Sequence, residues 1–283
     1  MIACLKAAEQ RKSRGGKRMV LKERVAIITG GGKGIGRAIG LAFAAEGAAV
    51  MLAGRTPSNL EEAAEKIRKK DGRVVTVQTD VSDEKQVERM VAETIKAFGR
   101  IDILVNNAGI IGPTVNVVDI DVNDWNEALG INLTGSLLAA KHVLKHMIPQ
   151  KSGAIINISS ERGRTGDGKS GSPMRTPYSC SKAGMIALTE CLSVEVGQYN
   201  IRVNCVTPAA VRGERITNVV KARAQATGAS VDELMSRLAD NYSLGRVVEE
   251  EEVAAAAVFL ASDAASGITG QTLPVSCGQR IMF

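Results

Sequence analysis

The sequence predicts an α/β protein built as one domain around a mostly parallel β-sheet. Short runs rich in Val and Ile alternate with longer helical patterns along nearly all of its 283 residues, as in repeated β-α-β units. Hydrophobic residues make up 45% of the chain and charged residues 23%, a balance typical of globular proteins. Aromatic residues are only 3%, so the core must be aliphatic, which suits strands that are buried on both faces.

The predicted strands are rich in Val and Ile and are bounded by Gly, Asp or Asn. They cover residues 24–29, 49–53, 74–79, 101–106, 153–159, 201–206 and 271–276. Helices are predicted at residues 34–46, 58–70, 83–98, 123–147, 177–197 and 249–261. Ser58 and Ser82 stand where N-caps are expected, and Gly47, Gly72 and Gly99 lie near helix ends. Right-handed crossovers then give a doubly wound, Rossmann-type domain with a seven-stranded, mostly parallel sheet and helices on both faces.

Two segments interrupt this alternation. Residues 161–176 are polar and Gly-rich, which predicts a loop, and residues 209–246 form an unusually long, partly helical connection. Both follow the carboxyl ends of strands, where open α/β sheets bind ligands. Connections of that length in a compact domain are usually functional or mobile.

The net charge of +6 comes mostly from residues 1–18, which hold six basic residues against one acid. We interpret this segment as a disordered leader, or as sequence upstream of a start at Met19, and residues 19–283 as the domain. A basic tail can also bind nucleic acid or anionic lipid, but the nearly neutral body argues against both partners. The segment lacks the apolar stretch of a secretory signal, and no run is long and apolar enough to predict a membrane span.

Cysteine and histidine usage argues against a metal site and a disulfide framework. The five cysteines are scattered and lack CxxC spacing, which favours a reducing compartment and a cytoplasmic location. They are Cys4, Cys180, Cys191, Cys205 and Cys277. The two histidines, His142 and His146, share a helix face without a carboxylate pair, so we interpret them as structural or surface residues.

A glycine-rich turn follows the first strand and opens the first helix. Glycines there allow a tight turn and a close approach to a pyrophosphate, which the helix N-terminus attracts. The predicted phosphate contacts are Gly30, Gly32, Lys33, Gly34, Ile35 and Gly36. A flexible turn is the alternative, but the strand before it and the helix after it favour dinucleotide binding.

The end of the second strand indicates which dinucleotide is bound. NAD enzymes place an acid there for the ribose hydroxyls, whereas an Arg suits the 2′-phosphate of NADP. Residues 53–56 contain Arg55 and no acid, and Lys33 adds a second cation. The sequence therefore predicts NADP as the cofactor, with NAD possible, although both cations are also compatible with an ordinary surface.

Further motifs appear in a characteristic order. They are Asn106-Asn107-Ala108-Gly109, Asn132 in INLTG, Ser160 in INISS, and Tyr178-Ser-Cys-Ser-Lys182. Over about residues 20–278 the chain resembles the single-domain branch of the short-chain dehydrogenase/reductase family, and its 3-oxoacyl-carrier-protein reductases in particular. Tyr178 and Lys182 share a helix face, and the ammonium would stabilise the tyrosine's phenolate form. Tyr178 would then act as general acid or base, while Ser160 donates to the substrate oxygen.

The resemblance implies further roles. Lys182 would also hold the nicotinamide ribose, Asn132 would position a relay water, and Asp80 would contact the adenine. The remaining predicted cofactor contacts are Val81, Asn107, Ala108, Gly109, Tyr178, Pro208 and Val211. Family members commonly form homotetramers through helices such as 123–147 and 177–197, and we expect the same here.

The chain departs from the family pattern in two places. The Ser160–Tyr178 spacing is longer than usual by about five residues, and the added loop carries Arg162, Arg164, Lys169 and Arg175. These cations favour an anionic or strongly polar substrate, unless they simply form a solvated surface. After Pro208 the usual Gly and Thr are missing, so this loop must contact the cofactor through its backbone or through Arg212. Residues 213–240 resemble a substrate lid.

Together these features predict an NADP(H)-dependent oxidoreductase that interconverts a small-molecule ketone or aldehyde and its alcohol. Three alternatives remain open from the sequence. One is an NAD-linked catabolic dehydrogenase of secondary alcohols, and another is a catalytically idle nucleotide-binding regulatory protein. The third is nucleic-acid binding through the basic leader, residues 1–18.

Overall fold

The structure, a computed structural model, describes residues 19–164 and 174–278. The basic leader, with its Cys4, and the centre of the Gly-rich loop, with its Lys169, lie outside the described residues. The strands are β1 (Val25–Thr29), β2 (Ala49–Gly54), β3 (Val74–Gln78), β4 (Ile103–Asn106), β5 (Gly153–Ile158), β6 (Ile201–Pro208) and β7 (Thr272–Val275). Every predicted strand is confirmed, with ends that differ by no more than two residues.

The described residues form nine α-helices, six of which contribute to the cores on the two faces of the sheet. The helices are α1 (Gly34–Ala45), α2 (Pro57–Arg68), α3 (Glu84–Phe98), α4 (Val122–Leu129), α5 (Gly135–Gln150), α6 (Thr176–Val196), α7 (Glu214–Thr227), α8 (Val231–Asp240) and α9 (Glu250–Ala261). Helices α7 and α8 confirm that the connection after β6 is partly helical. No helix in the described part of the chain is long and apolar enough to cross a membrane.

All neighbouring strands in the seven-stranded sheet are parallel, in the order β3-β2-β1-β4-β5-β6-β7. The strand order reverses between β1 and β4, and open α/β sheets bind ligands in the crevice at the carboxyl ends of the strands beside such a switch point. The predicted doubly wound fold is confirmed.

Two aliphatic cores flank the sheet, one on each face. On one face Ile39 and Phe43 of α1 pack with Leu260 of α9. On the other, Val143 of α5 packs with Leu192 of α6. Because both faces are covered, the central strands are buried along their whole length, as the low aromatic content predicted.

One helix prediction is wrong, because the segment predicted as a single helix is interrupted. Residues 123–147 are divided by a π-helical turn, Gly130–Thr134, that separates α4 from α5. The wider turn lets Asn132 face inward and exchange two hydrogen bonds with the backbone of Ile110, at 2.8 and 3.0 Å. Such π-bulges occur frequently at functional sites.

The two predicted N-caps are also wrong. Helix α2 begins at Pro57, which suits the first helical position, so Thr56 and not Ser58 is the N-cap. For α3 the cap is Asp83, whose carboxylate accepts from the backbone N–H groups of Lys85 and Gln86. Ser82 instead donates its hydroxyl to Asp80 at 2.6 Å.

His142 is a structural residue, as predicted. It is buried on α5, and its Nε2 lies 2.9 Å from a carboxylate oxygen of Glu84 at the start of α3. The same oxygen accepts from Lys141 at 2.7 Å, and these two hydrogen bonds lower the pKa of Glu84. Among the described residues, no cluster of His, Cys, Asp or Glu could hold a metal ion.

Candidate active site

The glycine-rich turn is packed tightly against the segment that follows β4. A Cβ at Gly36 would lie 2.2 Å from the carbonyl oxygen of Gly30, so only glycine fits at this position. Asn107 donates its Nδ2 to the carbonyls of Thr29 and Gly30 at 3.0 and 3.2 Å. The Thr29 hydroxyl accepts from the backbone of Asn107 and Ala108. The two predicted cofactor segments therefore form one braced unit.

The N-terminus of α1 is left without a side-chain cap. Its N-cap is Lys33, whose side chain makes no capping hydrogen bond. The first-turn N–H groups of a helix lack intrahelical partners and attract an anion, so the residues present fit a dinucleotide pyrophosphate. Two acids lie nearby. The ammonium of Lys33 is 3.7 Å from the carboxylate of Glu214, and the Glu250 carboxylate faces Gly34.

The residues expected to bind the adenosine half lie at the ends of β2 and β3. Arg55 is exposed, and its guanidinium forms no ion pair within the described part of the chain. Asp80 accepts from the backbone N–H and hydroxyl of Ser82, which fixes its carboxylate. Val81, the next residue, is buried and packs against Gly135, where an added Cβ would lie 2.7 Å from the Val81 Cγ2.

Three elements bring the four predicted catalytic residues to the carboxyl edge of the sheet. Ser160 follows β5, Asn132 lies in the π-helical turn, and Tyr178 and Lys182 lie on α6. The Lys182 ammonium donates to the carbonyl of Ile158 at 2.8 Å and lies 5.9 Å from the centre of the Tyr178 ring.

Gly109 provides the junction between these residues. A Cβ at this position would lie 3.0 Å from Oδ1 of Asn132 and 3.5 Å from Nζ of Lys182. The predicted site residues Gly109, Asn132 and Lys182 therefore meet at one point, two residues along the chain from Asn107.

The amide of Asn132 joins three parts of the site. Besides its bonds to Ile110, its Nδ2 donates to the hydroxyl of Ser181 at 2.9 Å. That hydroxyl donates to the Tyr178 carbonyl at 2.8 Å. The side chain of Asn132 thus fixes the start of α6, and with it the helical turn that carries the tyrosine.

Ser160 is oriented by its own turn. Its Oγ accepts from the backbone N–H of Arg162 at 3.2 Å, so the hydroxyl proton is directed elsewhere and can be donated. Gly163 closes the turn against α6, where an added Cβ would be 2.5 Å from the carbonyl carbon of Lys182.

Comparisons with known proteins agree with this geometry. A family model described as enoyl-(acyl carrier protein) reductase matches residues 30–280. The chain belongs to the short-chain dehydrogenase/reductase family. It is an oxidoreductase acting on CH–OH groups.

Individual relatives of this family match nearly the whole chain. The cis-4-hydroxycyclohexanecarboxylate dehydrogenase of Sinomonas cyclohexanicum is 39% identical, with 90% of this chain and 96% of that protein covered. A 3-oxoacyl-(acyl-carrier-protein) reductase of Thermotoga maritima is 35% identical, covering 92% and 99%. The crystal structure of an NAD+-bound xylitol dehydrogenase superposes with a TM-score of 0.84 at 31% identity, covering 91% and 99%.

The loop that departs from the family pattern after β6 is held by its backbone. The N–H of Ala209 donates to Val275, and that of Ala210 donates to the Tyr242 hydroxyl at 3.3 Å. Pro208 is buried at the end of β6, and Val211 pairs with Val248. Arg212 forms an ion pair with Glu249 at 2.8 Å, so its guanidinium is engaged within the protein.

The basic residues after Ser160 differ in their pairing. Arg164 forms an ion pair with Glu161 at 3.2 Å. Arg162 is exposed and is ion-paired with none of the described residues. Arg175 is half-buried at the N-cap of α6.

Several residues of the site were missed by the sequence reasoning. Ser159 donates to the Lys182 carbonyl at 2.7 Å, Ser181 bonds Asn132, and Glu161 accepts from Thr207 at 2.6 Å. The two serines are adjacent to predicted catalytic residues, which was the available signal. The Glu161–Thr207 contact joins residues far apart in sequence and left no local pattern.

Cys205 lies beneath the site on β6 and is fully buried. Burial raises the pKa of its thiol to about 11, although the charge of Lys182 opposes this. The thiol therefore remains protonated and contributes packing to the site, not reactivity.

Proposed function

We propose that this chain is an NADP(H)-dependent reductase that converts a ketone or aldehyde to its alcohol, and catalyses the reverse oxidation. The observation that carries the proposal is the position of the Lys182 ammonium. It lies 5.9 Å from the centre of the Tyr178 ring and donates to the carbonyl of Ile158, two residues before Ser160. A nicotinamide cofactor supplies the hydride when bound, and the protein must orient the substrate and supply the proton.

The proposed roles follow from the contacts of each side chain. Ser160, whose acceptor position is taken by the Arg162 N–H, donates its hydroxyl proton in a hydrogen bond to the substrate oxygen. Tyr178 transfers its phenolic proton to that oxygen as the carbonyl is reduced, and takes it back in the oxidation direction. The buried ammonium of Lys182 stabilises the resulting phenolate. Asn132 keeps the start of α6 in place and provides the anchor for the proposed proton relay.

The proposed cofactor contacts follow the crevice. The glycine-rich turn and the start of α1 hold the pyrophosphate, and Asp80 and Val81 lie beside the adenine. Arg55 holds the 2′-phosphate of NADP, because it is an exposed guanidinium at the end of β2 with no ion-pair partner among the described residues. Asn107, Ala108, Gly109, Pro208 and Val211 surround the nicotinamide half.

An NAD-linked dehydrogenase of secondary alcohols is the second candidate, and two observations favour it. Lys33, the other cation expected near the 2′-phosphate, is paired with Glu214. The similar xylitol dehydrogenase binds NAD+. A catalytically idle nucleotide-binding protein agrees less well with a site in which all four catalytic residue types are present and connected.

Relatives indicate the range of substrates to test. The similar Thermotoga reductase acts on 3-oxoacyl groups, and the similar Sinomonas dehydrogenase acts on a cyclic hydroxy acid. Both reactions interconvert a secondary alcohol and a ketone, so we propose 3-oxoacyl thioesters and cyclic keto acids as first substrates. The proposal includes a cytoplasmic homotetramer.

The cofactor proposal is tested by titrating the purified protein with NADPH and NADH, before and after Arg55→Ala. We expect tighter binding of NADPH, and we expect Arg55→Ala to weaken it by about tenfold to a hundredfold, the loss of a charge-assisted phosphate contact. NADH binding should remain unchanged. Arg73→Ala is the matched control, because Arg73 is also exposed but precedes β3 at the opposite edge of the sheet.

Preference for NADH in the wild-type protein would instead support the second candidate. In that case the Arg55 variant would leave both affinities unaltered, and the substrate screen would begin with oxidation of alcohols.

A further inference from the structure

Glu161, the residue after the proposed catalytic serine, carries a nearly buried carboxylate. Its side chain is only 13% exposed. One carboxylate oxygen accepts from the hydroxyl of Thr207 at 2.6 Å, and the other accepts from Arg164 at 3.2 Å. Burying a carboxylate is costly unless partners satisfy it, so the position calls for a specific explanation.

Thr207 lies at the end of β6, next to the segment that follows β5 and carries Ser160. It is fully buried near the end of β6, and β6 pairs with β5 so that Val206 lies opposite Ile158. Ser159 continues this pairing by donating its N–H to Val206. The Thr207–Glu161 bond therefore begins where the strand pairing ends, and it extends the connection between the two chain segments past the edge of the sheet.

Each end of this bond leads directly to functional groups. On one side, the turn of Glu161–Gly163 holds the Ser160 hydroxyl through the Arg162 N–H. On the other side, Thr207 precedes the loop that starts at Pro208. Backbone bonds tie this loop to Val275 and Val248, and the Thr207–Glu161 bond ties its start to the serine turn. The start of this loop is thereby held next to the turn that follows Ser160, where a bound cofactor would present its reactive ring to the substrate carbonyl.

We propose that Glu161 is a positioning residue, which through Thr207 holds the serine turn and the Pro208–Arg212 loop in the relative placement that the nicotinamide ring requires. The inference rests on the proposed function, because it assumes a nicotinamide cofactor in this crevice. Its specific consequence is that the bond affects the nicotinamide half of the cofactor and not the adenosine half, which binds at the other end of the crevice.

The test compares two ligands on folded protein. NADPH and 2′-phospho-ADP-ribose share the adenosine and pyrophosphate groups, but only NADPH carries the nicotinamide. We expect Glu161→Ala and Thr207→Val each to raise the Kd for NADPH by about tenfold, the usual size for loss of one hydrogen bond to a charged group. The Kd for 2′-phospho-ADP-ribose should remain within about twofold, and Glu161→Gln, which retains an acceptor, should recover part of the loss.

Arg164→Gln is the matched control. It removes the other partner of Glu161 but leaves the bond to Thr207, so both affinities should stay at the wild-type value. The double variant Glu161→Ala/Thr207→Val should bind NADPH no more weakly than Glu161→Ala alone, because both changes remove the same interaction. Thermal unfolding of each variant checks that it is folded.

Equal weakening of both ligands, or no weakening of NADPH, would overturn the inference. A wrong cofactor proposal would give a different result, because the wild-type protein itself would then bind NADH but not NADPH. The same comparison would then be made with NADH and ADP-ribose, and the expected differences between variants are unchanged.

Discussion

Arg162 and Arg164 are two residues apart in sequence, yet the structure gives them different electrostatic surroundings. Arg164 is neutralised by Glu161, whereas Arg162 extends from the turn that orients Ser160 and lacks an ion-pair partner among the described residues. The sequence-based hypothesis of an anionic substrate therefore becomes specific to Arg162. Because Arg162 is two residues after Ser160 and its backbone N–H bonds the Ser160 hydroxyl, we propose that its charge selects a substrate that carries a carboxylate.

We expect Arg162→Gln to lower kcat/KM for a keto acid by about tenfold relative to its methyl ester, the scale of one charge-assisted hydrogen bond. Arg164→Gln should leave the ratio between the two substrates unchanged. Steady-state kinetics with the acid and ester pair measures both. An unchanged ratio in the Arg162 variant would mean that these cations form only a solvated surface.

Glu250 places a negative charge beside the proposed phosphate site. Its carboxylate oxygen would be 3.7 Å from a Cβ at Gly34 and 2.8 Å from one at Gly213. Burial raises the pKa of this carboxyl, and the charge of Arg37 opposes the rise. At pH values above that pKa the carboxylate is ionised and repels the cofactor's phosphates.

We therefore expect Glu250→Gln to tighten NADPH binding by about fivefold at low salt, from removal of roughly 1 kcal/mol of like-charge repulsion. The gain should be present at pH 8 and should disappear as the pH falls through the pKa of Glu250, because the wild-type carboxyl then becomes neutral. Glu251→Gln is the control, since Glu251 is exposed. A pH-independent gain would show that the charge is not the cause.

At the scale of elements, the turn Glu161–Gly163 and helix α6 are locked together through backbone atoms. A Cβ on Gly163 would lie 2.5 Å from the carbonyl carbon of Lys182 and 2.7 Å from the amide nitrogen of Ala183. Backbone atoms inside a helix cannot move aside as a flexible side chain can. Any side chain at position 163 must therefore displace either the serine turn or the lysine.

We expect Gly163→Ala to lower the free energy of unfolding by about 1–3 kcal/mol, the usual cost of overpacking, and to reduce kcat more than it changes cofactor affinity. Gly130→Ala is the matched control, because Gly130 has helical backbone angles and nothing lies within 4 Å of its Cβ position. Urea denaturation and steady-state kinetics provide the two measurements. Wild-type stability and turnover in the Gly163 variant would show that the close packing of this turn against α6 is not required.

The elements also show what the sequence could and could not predict. Strands β1 to β7 were predictable because each is a Val- and Ile-rich run between turn residues. Of the proposed catalytic residues, Ser160 could be selected because it follows a strand, and Tyr178 and Lys182 because they share a helix face, whereas Asn132 was selected through the family resemblance. The π-helical turn was not, since it depends on the contact of Asn132 with Ile110, 22 residues away. The Glu161–Thr207 bond joins residues 46 apart, and no periodicity marks such a pair.

At the scale of the whole molecule, every proposed functional group lies along the carboxyl edge of one rigid sheet. The strand order positions the groups, because β1 and β4 meet at the switch point while β5 and β6 lie next to it. The adenosine half would extend toward β2 and β3, and the nicotinamide half toward β5 and β6. In this proposal the two halves of the cofactor would be recognised by residues that follow different strands, so substitutions should change the affinity for one half without changing that for the other.

The outer surfaces of α5 and α6 bear on assembly. Val194 of α6 is 84% exposed, and Leu137 of α5 is 44% exposed. Large apolar side chains that are open to solvent are explained if the predicted homotetramer forms through these helices. Val118, outside both helices, is 88% exposed and offers a control of the same residue type as Val194.

We expect sedimentation of the wild-type protein to give a mass of about four times that of one chain, which is 29.8 kDa. Val194→Asp should shift it to dimers or monomers, because a charge inside an apolar subunit interface is left without solvation. Val118→Asp should leave the tetramer intact, and circular dichroism should show that both variants are folded. Sedimentation velocity at several protein concentrations measures the distribution. A wild-type monomer, or a tetramer that tolerates Val194→Asp, would show that α6 does not form the subunit interface.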